Sequence, residues 1–89
     1  MYEWDEEKRQ TNIEKHGIDF IRVKEMWNYP VCEFVSLQTG HNEKRLLAIG
    51  RLGEFYITVV YTWRGNNKRI ISARKARKNE QKYYQDENR

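Results

Sequence analysis

The sequence is poor in the residues that build disulfides, metal sites and membrane spans. Its single cysteine, Cys32, cannot form an internal disulfide, which favours a reducing compartment. Its two histidines, His16 and His41, lie far apart, and no His/Cys cluster has the spacing of a metal site. No apolar run approaches the roughly 20 residues that span a bilayer, and the acidic N-terminus is unlike a signal peptide. These absences predict a cytoplasmic protein with no membrane association, no metal and no cofactor.

Glycine-rich phosphate loops are also absent, and no Ser/His/Asp triad can be argued from the chain. What the sequence does contain is aromatic and basic: three Trp, six Tyr, three Phe and a net charge of +4. The aromatic residues can supply a small core, so the low hydrophobicity does not indicate disorder. The positive charge favours nucleic acid or another acidic partner. A chain of 89 residues predicts a single domain over residues 1–89.

Capping residues predict two helices in the N-terminal part. Asp5 has the position of an N-cap and Gly17 that of a left-handed C-terminal residue, which predicts a helix over Glu6–His16. Asp19 caps a second helix, whose apolar residues recur at three- and four-residue intervals. The segment Asn28–Pro30 ends this helix, because a residue before proline avoids the α region.

Four segments with strand composition follow, each separated from the next by a short polar connection. They are residues 31–37, Lys44–Arg51, Phe55–Trp63 and Ile70–Arg74, with a first turn at Thr39–Asn42. Short connections join neighbouring strands, so we expect these four to be antiparallel. A last helix over Ala76–Tyr84 completes the prediction. The fold class is therefore α+β, with two N-terminal helices, a four-stranded antiparallel sheet and a C-terminal helix.

A hairpin between the last two strands concentrates arginine. Gly65–Asn67 supplies residues that tolerate the positive φ of a tight turn. The arginines on or beside this hairpin are Arg64, Arg69, Arg74 and Arg77. Guanidinium groups stay charged and bind phosphate in bidentate fashion, so the hairpin is a candidate platform for a polyanion. The alternative is a solvated hairpin whose charges only protect an exposed strand edge.

The residue types around this hairpin suit chemistry on RNA. When a 2′-hydroxyl attacks phosphorus, charge builds on the phosphorane oxygens, and arginines aimed there would stabilise it. A glutamate or tyrosine nearby can move protons, and aromatic rings can stack unpaired bases. The predicted catalytic residues are Arg64, Arg74, Arg77 and Glu80. The predicted RNA-binding residues are Arg51, Tyr61, Arg69 and Tyr83, with Lys8 and His16 on the first helix as the next candidates.

Each of these residues also has a structural interpretation. Glu80 pairs with Arg74 or Arg77 in that alternative, and surface pairs of this kind contribute little to stability or activity. Tyr61 belongs to the core, and Tyr83 packs the last helix on the sheet. The sequence alone leaves both interpretations open.

The face of the sheet on which each side chain lies also stays open. A two-residue hairpin loop places Tyr61 on the same face as Ser72 and Arg74. A three-residue loop with a bulge places it with Ala73 and Ile71 instead. One residue of slip reverses the assignment, so the composition of the active face depends on a detail of the turn.

Two stretches at the two ends of the chain together resemble a known family. The first runs Trp4–Lys8, then Asn12, then Lys15–Phe20. The second runs Ile49–Arg51, Val59–Thr62, Arg64–Gly65 and Arg69–Ala76, then Glu80 and Tyr83. In this order and spacing they resemble the BrnT toxins over nearly the whole chain, although each piece alone is a weak signal.

That resemblance implies more than composition and spacing show. BrnT proteins are ribonuclease toxins of bacterial type II toxin–antitoxin modules, with a fold similar to that of RelE-like toxins. Their partner antitoxin, BrnA, binds DNA, and the complex represses its own operon. The resemblance therefore implies a BrnA-like antitoxin as partner, RNA as substrate and operator DNA contacted only through the antitoxin.

Three functional hypotheses follow from these observations. The first is a ribonuclease toxin that cleaves RNA without metal, inhibits translation and growth, and is neutralised by its antitoxin. The second is a non-catalytic nucleic-acid-binding or co-repressor module, and the third is a toxin-like scaffold that only binds its antitoxin. Cleavage that survives EDTA and is lost on removal of arginines separates the first hypothesis from the other two.

Overall fold

Five strands and three helices follow one another in this computed structural model, which describes residues 1–36 and 43–88. The strands are β1 Tyr2–Trp4, β2 Cys32–Val35, β3 Arg45–Leu52, β4 Phe55–Arg64 and β5 Asn67–Lys75. The helices are α1 Glu6–His16, α2 Phe20–Val23 and α3 Lys78–Glu87, and α2 continues into the 3-10 segment Lys24–Asn28. The predicted turn Thr39–Asn42, with His41, lies outside the described residues, as does Leu37.

All five strands belong to one mixed sheet in the order β1-β5-β4-β3-β2. The strands β2 to β5 are antiparallel neighbours, as predicted. The prediction of a four-stranded, wholly antiparallel sheet is wrong, because β1 pairs in parallel with β5, with Tyr2 opposite Lys68 and Trp4 opposite Ile70. A strand of three residues is too short to show alternation, and its partner lies near the other end of the chain.

Helix ends in the N-terminal part follow the capping residues. Asp5 accepts hydrogen bonds from two backbone N–H groups of the first turn, and Gly17 ends α1 with a φ of 69°. These caps confirm the predicted helix Glu6–His16. Asp19 caps α2 in the same way, but the second helix is not a single α-helix. It keeps α geometry for four residues and then tightens into the 3-10 segment.

The C-terminal helix begins two residues later than predicted. The N–H of Ala76 donates to the carbonyl of Tyr56 at 2.9 Å, so this residue still continues the hydrogen bonding of the sheet. Glu80 accepts a hydrogen bond of 2.7 Å from the backbone N–H of Arg77, which is half of a capping box. The helix therefore runs Lys78–Glu87 rather than Ala76–Tyr84.

The hairpin of β4 and β5 combines a two-residue turn with a bulge. Tyr61 lies opposite Ile70, but its neighbour Val60 lies opposite Ser72. Ile71 is therefore an extra residue in β5, which is the definition of a bulge. The short-loop alternative is right for the turn itself, and the bulge then shifts the rest of β5 by one residue.

This shift decides which side chains share a face. Beyond the bulge, Val59 pairs with Ala73, and both are buried in the same core as Tyr61. Thr58 pairs with Arg74, so Arg74 lies on the opposite face from Tyr61. Neither simple alternative from the sequence describes this arrangement, because neither combined a short turn with a bulge.

One face of the sheet, called the helical face here, is covered by α1, α2 and the 3-10 segment. Its buried core consists of Ile18, Phe20, Val23, Met26, Ala48, Leu52, Ile57, Val59, Tyr61, Ile70 and Ala73. Tyr61 is only 1% exposed and lies at the centre of this apolar layer. The helical face is therefore closed to a large ligand.

Two close contacts fix the helices to this face. The buried side-chain amide of Asn12 donates to the carbonyls of Ile18 and Ala73, at 2.8 and 2.9 Å, and accepts from the N–H of Ala73 at 3.1 Å. The Asn12 amide thus provides hydrogen-bond partners for the backbone of Ala73, which lies beyond the part of β5 that pairs with β1. Gly50 faces Met26 so closely that a Cβ at this position would collide with the methionine side chain.

The opposite face, called the open face here, is only partly covered. The helix α3 packs beside β3, where Ile49, Ala76 and Tyr84 form a small cluster with Cys32 and Tyr56. This leaves the rest of the open face without a covering helix in the part of the chain that the structure describes. No helix within that part is long and apolar enough to cross a membrane.

Candidate functional site

Beside α3, the open face forms a groove of about 1000 Å³. Its floor includes Leu47, Val60 and Ser72, which come from β3, β4 and β5. Each of these residues is adjacent in sequence to a core residue, and side chains alternate along a strand, so all three point away from the helical face. The groove therefore lies on the side of the sheet opposite α1.

Four of the residues predicted for the site line this groove: Arg74, Arg77, Glu80 and Tyr83. Arg74 comes from β5, Arg77 immediately precedes α3, and the other two lie one turn apart on α3. The bulge in β5 places Arg74 on this face, and the spacing of three residues places Glu80 and Tyr83 on one side of the helix.

Glu80 and Arg74 form a bidentate ion pair at the foot of α3. The two terminal nitrogens of Arg74 donate to the two carboxylate oxygens of Glu80, at 2.8 and 2.9 Å. Glu80 Oε1 also accepts from the Thr58 hydroxyl at 3.0 Å and from the Arg77 N–H at 2.7 Å. The Glu80 and Arg74 side chains are 14% and 27% exposed, so the pair is largely shielded from water.

These hydrogen bonds determine the charge of Glu80. The pKa of Glu80 is lowered to about 2, first by the hydrogen bonds from Arg74 and then by those from Arg77 and Thr58. The same pairing raises the pKa of Arg74. A carboxylate with such a low pKa is a weak base. Its two oxygens already accept hydrogen bonds from Arg74, Arg77 and Thr58. The geometry therefore suits Glu80 for holding Arg74 in position.

Arg77 differs from Arg74 because its guanidinium forms no ion pair within the described residues. Only its backbone N–H is engaged by Glu80, and its side chain is exposed. A second, unpaired cation thus stands beside the fixed one, and an anion in the groove can be bound by both.

The rim of the groove carries two exposed aromatic rings. Tyr83 of α3 and Phe34 of β2 are 42% and 38% exposed. Their ring centroids lie 5.1 Å apart with an interplanar angle of 62°, an edge-to-face arrangement. The groove therefore combines two guanidinium groups, an apolar floor and an aromatic rim.

Two of the four arginines predicted on or beside the hairpin lie away from the groove. Arg64 is at the far end of β4, six residues beyond Thr58. At a rise of about 3.3 Å per residue this is roughly 20 Å along the strand. Arg69 is paired with Glu3 of β1 at 2.9 Å, on the edge of the sheet opposite β2. The hairpin arginines therefore do not form a single cluster.

The remaining predicted residues also lie elsewhere. Tyr61 is buried on the helical face, where its hydroxyl donates to Glu33 at 2.6 Å, so it is not accessible to a base. Burial, together with this carboxylate, raises the pKa of Tyr61. Arg51 lies over the ring of Tyr29, with 5.9 Å between its guanidinium carbon and the ring centroid.

Lys8 and His16 are exposed on α1, on the other side of the sheet from the groove. His16 lines a smaller cavity of about 470 Å³ together with Arg22, Phe55 and Lys75. None of the described residues lines both this cavity and the groove, and the sheet lies between them. Lys8 and His16 therefore cannot act on a ligand bound in the groove.

Two residues of the site were missed by the sequence reasoning: Phe34, which lines the groove, and Thr58, which binds the Glu80 carboxylate. The Thr58 hydroxyl donates to Glu80 because Thr58 lies opposite Arg74 in the sheet. This pairing depends on the position of the bulge, which the sequence pattern does not indicate. Phe34 belongs to a short strand whose apolar residues alternate imperfectly, so the pattern did not separate a buried ring from an exposed one. A phenylalanine exposed on an edge strand becomes a signal only once the sheet order is known.

The fold and the groove define a small α+β protein that presents arginines and aromatic rings over the open face of a half-covered sheet. Within the described residues, no three His, Cys, Asp or Glu side chains are grouped as a metal site requires. The chain belongs to the BrnT family: the model of the ribonuclease toxin BrnT, of type II toxin–antitoxin systems, matches residues 4–80. No curated protein matches the chain.

The match confirms the resemblance predicted from the sequence. It begins at the last residue of β1 and ends at Glu80, so it includes Arg74, Arg77 and Glu80 of the groove. The protein is therefore a member of a family of ribonuclease toxins, and a type II system implies an antitoxin as its partner.

Proposed function

We propose that the groove binds RNA and cleaves it without a metal ion, that cleavage inhibits translation and growth, and that a BrnA-like antitoxin neutralises the protein. The observation that carries this proposal is the pair of guanidinium groups over the open face. Glu80 holds the guanidinium of Arg74, and that of Arg77 has no carboxylate partner in the part of the chain that the structure describes. Family membership supports the ribonuclease class, and the groove offers the cations that such chemistry needs.

The proposed reaction is attack by the ribose 2′-oxygen on the adjacent phosphorus. The bond from phosphorus to the 5′-oxygen breaks, which leaves a 2′,3′-cyclic phosphate and a 5′-hydroxyl. The Tyr83 hydroxyl donates a proton to the departing 5′-oxygen, and solvent water accepts the proton of the 2′-hydroxyl. Tyr83 then regains its proton from water, so the step is balanced. Arg74 and Arg77 stabilise the charge on the phosphorane oxygens, because guanidinium groups stay protonated and present paired donors.

The other groove residues have distinct roles in this proposal. Glu80 is a positioning residue that holds Arg74, with Thr58 supporting its carboxylate. Tyr83 is the proton donor to the 5′-oxygen in this proposal, since its hydroxyl is on an exposed side chain one turn from Glu80. Arg64 contributes a distal phosphate contact along the bound strand and not a charge at the scissile phosphate.

The proposal extends to the partners of the protein. An antitoxin that covers the open face would block the groove without altering the closed helical face. Operator DNA is contacted through the antitoxin, and the toxin acts in the cytoplasm. The net charge of +4 supports an acidic surface on the partner, because complementary charge speeds association.

Induced expression without the antitoxin gene, with RNA integrity followed over time, tests the activity in cells. The purified protein is then incubated with RNA with and without EDTA. Arg74→Ala and Arg77→Ala should each reduce cleavage by more than about tenfold, whereas Arg64→Ala should reduce it less. Arg22→Ala, an exposed arginine on α2, is the matched control and should cleave like the wild type.

A second candidate function is a non-catalytic nucleic-acid-binding module. Two observations favour it: the described lining of the groove contains no histidine, and the low pKa of Glu80 makes its carboxylate a weak base. This candidate predicts salt-dependent RNA binding by a protein that leaves the RNA intact. Intact RNA after prolonged incubation with folded wild-type protein would therefore replace the first proposal by the second.

A further inference from the structure

Phe34 and Tyr83 form an exposed aromatic pair, and Phe34 has no role in the function proposed above. They come from the edge strand β2 and from α3, and both line the groove that contains Arg74 and Arg77. Phenylalanine is among the residues most often buried in proteins. Here about two fifths of the surface of Phe34 and of Tyr83 is exposed. The pair is held by its own edge-to-face contact, with 5.1 Å between the centroids.

Other exposed aromatic residues provide a comparison. Phe55, Trp63 and Tyr29 are 60%, 51% and 54% exposed, and none of them lines the groove. Exposure alone is therefore common on this surface. What distinguishes the Phe34–Tyr83 pair is its position beside two guanidinium groups and an apolar floor.

Resting on the proposed function, we infer that Phe34 and Tyr83 stack an unpaired base and so restrict the substrate to single-stranded RNA. A nucleotide joins a charged phosphate to a flat apolar base, and the groove offers a matching partner for each. The cations lie at the start of α3, and Tyr83 follows Glu80 by three residues, about 5–6 Å between neighbouring Cβ atoms on a helix. In a duplex the bases are already stacked and paired, so their faces are not available to the rings.

The positive charge of the groove favours a polyanion such as an RNA strand as the occupant. The exposed guanidinium of Arg77 lacks a carboxylate partner among the described residues and lies within the same groove as the rings. Stacking on aromatic side chains is tolerant of sequence, so the site is expected to select unpaired over paired bases more than one base over another.

The test uses a single-stranded 2′-deoxy oligonucleotide, which lacks the attacking hydroxyl and is not cleaved. Phe34→Leu removes the ring but keeps apolar volume, and Phe34→Trp keeps a ring. The Leu variant should bind about 5- to 100-fold more weakly than the wild type, and the Trp variant should bind nearly as well. Phe55→Leu, an exposed phenylalanine outside the groove, is the matched control and should bind like the wild type.

An abasic oligonucleotide of the same length isolates the stacking contribution. It presents the same phosphates without bases, so wild type and Phe34→Leu should bind it equally. The salt dependence of binding should be unchanged in Phe34→Leu, whereas Arg77→Ala should reduce the slope of log affinity against log salt by about 0.7. A duplex of the same sequence should bind more weakly than the single strand, and Phe34→Leu should narrow that difference.

Thermal unfolding of each variant verifies that it folds. Should Phe34→Leu not fold, Tyr83→Leu against Tyr83→Phe carries the same test, because only the Phe replacement keeps the ring. Normal oligonucleotide binding by a folded Phe34→Leu protein overturns the inference, and so does an equal loss for abasic and ordinary strands. Normal oligonucleotide binding with weakened antitoxin binding would identify the pair as a protein-docking surface instead.

These outcomes are distinguishable from failure of the proposed function. If wild-type protein neither binds the oligonucleotide nor cleaves RNA, the groove is not the RNA site. If it binds and cleaves but Phe34→Leu has no effect, only the stacking inference fails.

Discussion

Replacing Glu80 by glutamine tests whether this carboxylate stabilises the fold while it holds Arg74. Glu80 accepts hydrogen bonds from Thr58, from Arg77 and from both terminal nitrogens of Arg74. Its pKa falls from an ordinary value of 4.5 to about 2. Converted to free energy, this difference corresponds to roughly 3 kcal/mol in favour of the folded protein at neutral pH.

The sign of the pH dependence follows from the direction of the shift. Because the folded pKa is lower than the unfolded one, the stabilisation is fully present above about pH 5 and is lost as the pH falls towards 2. Glu80→Gln should therefore lower the free energy of unfolding by about 2–3 kcal/mol at pH 7, on the order of 10 °C in Tm. The difference from wild type should shrink steadily below pH 4.

Urea unfolding followed by tryptophan fluorescence measures this difference at several pH values. Glu87→Gln changes an exposed carboxylate on the same helix and should stay within about 0.5 kcal/mol of wild type. Equal stability of wild type and Glu80→Gln at pH 7 would refute the reasoning, as would a difference that does not change with pH. Cleavage by Glu80→Gln should fall together with that of Arg74→Ala, because both variants lose the fixed guanidinium.

Three further variants test other contacts. Asn12→Ala leaves the N–H and carbonyl of Ala73 unsatisfied and should cost about 2–4 kcal/mol in urea unfolding, whereas a normal midpoint would exclude the bridging role. Gly50→Ala should cost about 1–3 kcal/mol through its collision with Met26, and a smaller side chain at position 26 should restore stability. Arg77→Lys keeps the charge but loses the fork, so it should recover RNA affinity more fully than cleavage rate; full recovery of both would contradict a clamping role.

Local signals predicted the parts of the fold that depend on local chemistry. The caps Asp5 and Gly17 gave the bounds of α1, because side-chain and backbone preferences decide a helix end within a few residues. The strand β1 was missed because its pairing with β5 joins the two ends of the chain. The late start of α3 has a similar cause, since the N–H of Ala76 is engaged by a distant carbonyl.

For the candidate site, helical spacing was informative and the hairpin was misleading. The residues Arg77, Glu80 and Tyr83 lie together as their spacing implied, and Glu80 does pair with Arg74 as the structural interpretation held. We grouped Arg64 with these residues because it is close to the hairpin in sequence. It lies at the far end of the extended strand β4, however, and is therefore distant from the groove. Side chains that meet across the groove depend on sheet order and register, which one sequence does not specify.

The bulge at Ile71 takes up one extra residue of β5, and this is what turns Arg74 to the open face. Deleting Ile71 would restore an uninterrupted two-residue alternation along the strand. Ser72, Ala73 and Arg74 would keep Val60, Val59 and Thr58 as their partners, so the Arg74 guanidinium would still lie beside Glu80. A β5 strand that is one residue shorter and lacks the bulge should therefore present the same ion pair on the open face.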